Sequence, residues 1–234
     1  MIIKLTPQHA LISLSGGIGV IHLLNALAIG LKTRFDGEYY RFTEFFDVGI
    51  EGNIPTVYST LQLGLAAAVS ALIAVVIARQ QGRDSGYWYG LAVAFLLLSF
   101  DEGATIHETV GRYTELWFEN LVTGYLYFIW VIPYGIAVMW FAAAYFPFLL
   151  RLPKRTAIGL VASGAIFVGG AIGIEAISAA VYEAAAQLER RPLEYYLLYS
   201  LEEFMEMFGI ALFIFYALDY LSTRSEQVSI RLSE

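Results

Sequence analysis

Residues 63–78 read LGLAAAVSALIAVVIA, a run without a charged side chain that ends at Arg79. A helix needs about 20 mostly apolar residues to cross the hydrocarbon core of a bilayer. Extending the run back to residue 54 supplies that length. The stretch therefore predicts a membrane-spanning helix over residues 54–78.

The composition of the whole chain agrees with lipid as the surrounding medium. Of the 234 residues, 58% are hydrophobic and 15% are charged, whereas a soluble domain typically carries about 25% charged residues. The absence of cysteine excludes disulfides, thiolate metal sites and cysteine nucleophiles. No run of Lys and Arg is long enough to indicate nucleic-acid binding.

Six segments meet the length criterion for a span. The sequence therefore predicts an all-α, polytopic membrane protein, a bundle of about six transmembrane helices forming one domain over residues 1–234. Pro133 is expected to kink the fourth helix, and the loop over residues 32–53 is expected to hold a short element on the membrane surface. The predicted spans cover roughly residues 8–31, 54–78, 87–110, 122–150, 156–186 and 193–221.

Basic residues predict the orientation. Six spans place both termini on one side, together with eight Lys and Arg residues: Lys4, Arg79, Arg83, Arg151, Lys154, Arg155, Arg224 and Arg231. The other side has six: Lys32, Arg34, Arg41, Arg112, Arg190 and Arg191. Because cytoplasmic loops carry the excess of Lys and Arg, both termini are predicted to be cytoplasmic.

Ionisable residues interrupt the apolar stretches of four spans. A charge at the bilayer centre costs roughly 2.5–3.5 kcal/mol on insertion scales, and such residues are functional by default. One nearby cation, Arg112, cannot balance seven carboxylates, so the remaining options are protonation, bound cations or a water-filled cavity. These residues are Asp101, Glu102, His107 and Glu108 in the third span, Glu175 in the fifth, Glu202, Glu203 and Glu206 in the sixth, and His22 in the first.

Helix geometry places these groups at one depth. At about 1.5 Å per residue, all of them lie between the middle of the membrane and its outer boundary. We therefore predict a single site, with Tyr134, Tyr182, Tyr199 and Arg112 lining the same pocket. Three alternatives remain. His107 and Glu108 are a polar pair at a helix end, His22 is a buried histidine that only makes hydrogen bonds, or the boundary of the sixth span is misplaced and Glu202, Glu203 and Glu206 lie outside the lipid.

The chemistry of the donors indicates a divalent metal. Carboxylates with imidazole suit Fe, Mn or Zn, and helical bundles build dinuclear sites from about four carboxylates and two histidines. The Glu-x-x-His repeat of di-iron bundles is absent, and Met207 stands where a Glu-Glu-x-x-x-Arg motif at Glu202 needs Arg.

The leading hypothesis is a metal-dependent membrane enzyme that acts on a lipid or another hydrophobic small molecule, by oxidation or by hydrolysis. One rival is a proton- or cation-coupled transporter that uses the same carboxylates. Another is a non-catalytic subunit of an oligomer or membrane complex, whose acids pair with basic residues of a partner.

Overall fold

The computed structural model describes residues 6–35, 39–188 and 191–224, and all regular structure in these ranges is helical. Residues 169–174 form a π-helical segment. Within the described ranges, five helical stretches are long and apolar enough to cross a membrane, or six if the bent pair Ser85–Ala104 and Ile106–Leu121 counts as one span. The helices in chain order are α1 Pro7–Arg34, α2 Tyr40–Phe46, α3 Ile54–Arg79, α4 Ser85–Ala104, α5 Ile106–Phe118, α6 Val131–Leu149, α7 Lys154–Val168, α8 Glu175–Ala184 and α9 Leu193–Arg224.

Local capping fixes where the first long helices begin. The Asn53 side chain accepts a hydrogen bond from the backbone N–H of Thr56, and Pro55 occupies the first turn of α3. Thr6 caps α1 in the same way. Such side chains satisfy N–H groups that have no partner inside the helix, and proline is tolerated where its missing N–H would be unpaired anyway.

The third predicted span is broken in the structure. Instead of one helix over residues 87–110, α4 ends at Ala104 and α5 begins at Ile106, with an angle of 82° between them. Thr105 lies between them in the left-handed region, at φ 51°. Residues 101 to 112 therefore do not lie on one continuous helix.

The fourth predicted span is shorter than residues 122–150. Helical turns at Glu119–Leu121 and Gly124–Leu126 precede α6, which starts at Val131. Pro133 consequently lies in the first turn, where N–H groups lack helical partners, so it does not produce the kink expected from a proline inside a helix.

Two ion pairs gather three chain segments at one end of the bundle, which we call the basic end. Arg151, after α6, lies 2.8 Å from the Asp84 carboxylate before α4. Arg155 of α7 lies 3.1 Å from Asp219 of α9. Lys4 and Arg231, predicted for this end, and Arg190, predicted for the other, lie outside the described residues.

Helices α7 and α9 pack closely around Gly209. A Cβ atom at this position would lie 2.8 Å from the Phe167 backbone nitrogen and 2.9 Å from the Ser163 carbonyl oxygen. Both atoms belong to the backbone of α7 and cannot move aside without shifting the helix. Glycine is therefore required here for helix contact.

We expect Gly209→Ala to lower the free energy of unfolding by about 1–3 kcal/mol, the usual cost of an overpacked interior. Thermal unfolding of the purified protein measures this effect. Gly164→Ala is the matched control, because a Cβ there has no neighbour within 4 Å and should cause no loss. Equal stabilities of the two variants would contradict the packing argument.

Candidate functional site

A cavity of about 1690 Å³ lies among α4, α5, α6, the α7 to α8 segment and α9. Its polar part is at the end of the bundle opposite the basic end, which we call the site end. Arg112 is the sole Lys or Arg that lines it in the part of the chain that the structure describes. The polar part of the cavity therefore holds far more carboxyl groups than basic side chains. Its lining carboxylates are Glu51, Asp101, Glu102, Glu108, Glu115, Glu175, Glu202, Glu203 and Glu206.

His107 lies between two carboxylates at the site end. Its Nδ1 atom is 3.4 Å from an Asp101 oxygen, and its Nε2 atom is 3.8 Å from a Glu51 oxygen. The Tyr134 hydroxyl donates a hydrogen bond of 2.7 Å to the other Asp101 oxygen. The imidazole ring also contacts the ring of Trp130, with centroids 5.2 Å apart. The ring is therefore held in place from both sides.

The bend at Thr105 brings His107 and Asp101 together. These residues are six positions apart, so in a straight helix they would point in different directions at 100° per residue. A positive φ at a β-branched residue is unfavourable, and such strain clusters at functional sites. Thr105, the strained residue, lies between Asp101 and His107 in the chain, and its conformation brings their side chains together.

Glu175 connects α8 to α6 and α9. One carboxylate oxygen accepts a hydrogen bond of 3.3 Å from Trp130 Nε1, and the other accepts one of 3.3 Å from the Ser178 hydroxyl. Glu175 and Glu202 line the same cavity, and their carboxyl groups interact electrostatically. Two such carboxyl groups repel each other when both are ionised, so a proton or a cation favours their co-existence.

Glu202 is the most buried acid of the site. It is 8% exposed, and its Oε2 atom has no hydrogen-bond partner among the described residues. Gly170 lets the π-helical segment approach α9 closely, because a Cβ at that position would lie 2.8 Å from the Glu202 carbonyl oxygen. Glu203 and Glu206 follow on α9 and face the same cavity. A buried carboxylate oxygen without a partner is costly unless a ligand or proton satisfies it.

The described residues contain no group of three or more His, Asp or Glu side chains already arranged to hold a metal ion. The close contacts are pairs, namely His107 with Asp101 and His107 with Glu51. These pairs line one cavity but do not converge on one point.

Eight of the nine predicted ligand candidates line this cavity. The predicted pocket residues Tyr134, Tyr199 and Arg112 also line it, although the Tyr199 hydroxyl donates to Asp47 and Arg112 donates to the Thr109 hydroxyl. The eight candidates are Asp101, Glu102, His107, Glu108, Glu175, Glu202, Glu203 and Glu206.

His22 and Tyr182 lie outside the cavity lining. The His22 ring nitrogens are 3.0 Å from the carbonyl oxygen of Ile18 and 3.1 Å from that of Ser200, which is the hydrogen-bonded alternative for this residue. Tyr182 packs behind the site, where the Arg191 guanidinium carbon lies 3.6 Å from its ring centroid. Each side chain therefore has a partner outside the cavity lining, since His22 contacts Ser200 and Tyr182 contacts Arg191.

Sequence reasoning missed Glu51, which comes from the loop between α2 and α3. Burial raises the pKa of its carboxyl group above the ordinary value, an effect that His107 opposes and that Glu108 and Asp101 reinforce. In the sequence, the only feature that distinguishes Glu51 is its position two residues before Asn53, the N-cap residue of α3.

Asp47 holds this loop in place. It is fully buried and accepts hydrogen bonds of 2.9 Å from Lys32 Nζ, 2.7 Å from the Tyr199 hydroxyl and 3.0 Å from the Gly49 N–H. The loop is therefore tied to α1 and α9, and its position beside the cavity follows from those contacts.

The fold and the cavity define a class of protein: an all-helical chain whose helices are long and apolar enough to cross a membrane, built around an acidic cavity. Within it, the chain belongs to the family described as a domain of unknown function (DUF8692), whose model matches residues 17–220. No curated protein and no solved structure matches the chain.

Proposed function

We propose that this chain is a multi-pass integral membrane enzyme with both termini in the cytoplasm. At its site end it binds a divalent metal with carboxylates and His107, and it acts on a lipid or another hydrophobic molecule. The observation that carries the proposal is that one cavity combines an acidic end with an apolar remainder. Its polar end holds Glu202, with an unpartnered buried oxygen, and the rest is apolar.

A bound metal would supply the positive charge that the polar part of the cavity lacks, because divalent cations neutralise carboxylates that have no basic partner. Oxygen and imidazole donors without thiolate favour Fe, Mn or Zn. Asp101 is placed to orient the imidazole of His107, as carboxylates beside metal-bound histidines commonly do. Carboxylates that are not ligands remain available as general acids or bases.

The apolar remainder of the cavity supports a one-sided site. Toward the basic end the lining consists of residues such as Phe95, Val161 and Phe213, which offer no polar path for an ion. A coupled transporter needs such a path through both halves, so the enzyme is the better match. The same apolar wall suits a substrate that carries a hydrocarbon portion.

Elemental analysis of protein purified without added metal tests the proposal. We expect about one to two atoms of Fe, Mn or Zn per chain, the range for mononuclear and dinuclear sites in helical bundles. Far less than one atom per chain in well-folded protein would overturn it. Ion flux in reconstituted vesicles that is lost in Glu206→Gln, again without bound metal, would establish the transporter instead.

A further inference from the structure

The apolar part of the cavity is long enough to hold a lipid chain. It follows α6 from Tyr134, which contacts the acids, to Phe148 near the basic end. These residues are fourteen positions apart, or about 21 Å along the helix axis. One leaflet of a bilayer core is about 15 Å deep, half of its total thickness. The apolar part therefore exceeds the depth of one leaflet, and a hydrocarbon chain of a membrane lipid can lie along it.

Aromatic rings of α6 border the far part of the cavity. Phe141 and Tyr145 stack with centroids 4.0 Å apart, and Phe148 is 1% exposed. Tyr87 of α4 fixes this group, because its ring stacks on Phe148 at 4.9 Å and its carbonyl accepts a hydrogen bond from the Tyr145 hydroxyl. The cavity consequently ends against rings that are held by α4.

A mouth opens between α6 and α7. Lining residues of both helices are also strongly exposed, with Phe146 at 60%, Leu150 at 72%, Ile158 at 68% and Val161 at 52%. Among the described residues, no hydrogen bond, ion pair or ring contact joins these two helices. The rim is apolar, so in a membrane it faces lipid chains rather than water.

We infer that the cavity takes up one hydrocarbon chain of a membrane lipid through the mouth between α6 and α7, with the polar end of that lipid at the acids. This inference deepens the proposed function and rests on its placement of the chain in a membrane.

Photolabelling tests the inference. The probe is a long-chain fatty alcohol with a diazirine on its chain, in vesicles of phosphatidylcholine, with chelator-treated protein. We expect labels on Leu160 and Ile210, which line the cavity but are 8% and 3% exposed. Met139 and Trp140 on the outer face of α6 are 66% and 74% exposed and report labelling from bulk lipid.

A pair of neighbouring variants supplies the control. Val138→Trp places a large ring in the cavity and should reduce the labels on Leu160 and Ile210 to background. Met139→Trp adds the same ring on the outer face and should leave them unchanged. Labels confined to the outer face in the wild-type protein would overturn the inference, as would equal labelling of the two variants.

The outcomes separate this inference from the proposed enzyme. A protein that contains no metal but labels Leu160 has a chain-binding cavity without the proposed chemistry. A protein that binds metal but labels only on Met139 and Trp140 keeps the metal site and loses the chain-binding cavity. Metal content is therefore measured on a separate, untreated sample of each preparation.

Discussion

Replacing Glu202 with glutamine is expected to lower metal affinity by at least about tenfold, since even residues behind the ligands of a metal site contribute 10–100-fold. The same change should stabilise the chelator-treated protein. Without metal, the Glu202 carboxyl is buried, interacts electrostatically with Glu175 and has an unpartnered oxygen. A glutamine amide carries no charge, which removes the repulsion between the two carboxylates.

Two measurements check this prediction. Elemental analysis after dialysis against limiting metal reports affinity, and thermal unfolding with chelator reports stability. Glu194→Gln is the matched control, because Glu194 is an exposed acid in the first turn of the same helix and does not line the cavity. It should change neither quantity. Full metal binding by Glu202→Gln would rule this carboxylate out as a ligand, and a less stable metal-free variant would contradict the repulsion argument.

Replacing Asp47 with alanine is expected to lower the free energy of unfolding by about 3 kcal/mol. Removing one partner of a buried ion pair costs about 3–5 kcal/mol. The lower end applies here because the Lys32 side chain is 40% exposed and retains part of its hydration. The Tyr199 hydroxyl, on a residue that is 7% exposed, also loses its acceptor.

Thermal unfolding of Asp47→Ala beside Asp219→Ala measures the difference. Asp219 pairs with Arg155, whose side chain is 67% exposed, and exposed pairs contribute about 0–1 kcal/mol. Asp47→Asn should fall between the two, since its amide oxygen still accepts from Tyr199 and Gly49. If Asp47→Ala were as stable as Asp219→Ala, the buried network would not be what holds the loop that carries Glu51.

Much of the candidate site could be predicted from sequence because insertion into lipid makes each intramembrane charge conspicuous. Asp101, Glu175 and Glu202 stand out individually, since each interrupts an apolar run. Glu51 does not stand out, because it lies in a polar loop where acids are common. His22 was misleading for the opposite reason: it interrupts an apolar run, yet carbonyl oxygens of Ile18 and Ser200 occupy its ring nitrogens.

By itself, the sequence determined that the chain is helical, the number of long apolar segments and the acids that interrupt them. These properties depend on composition within about 20 residues. Only the tertiary structure decided that residues 87–110 bend at Thr105, that Asp101 meets His107, and that a loop held by Asp47 brings Glu51 to the same cavity. The reason is physical. Hydropathy is a local property, whereas a left-handed residue within an apolar segment and a contact between a loop carboxylate and a helix histidine are stabilised by packing between segments far apart in the chain.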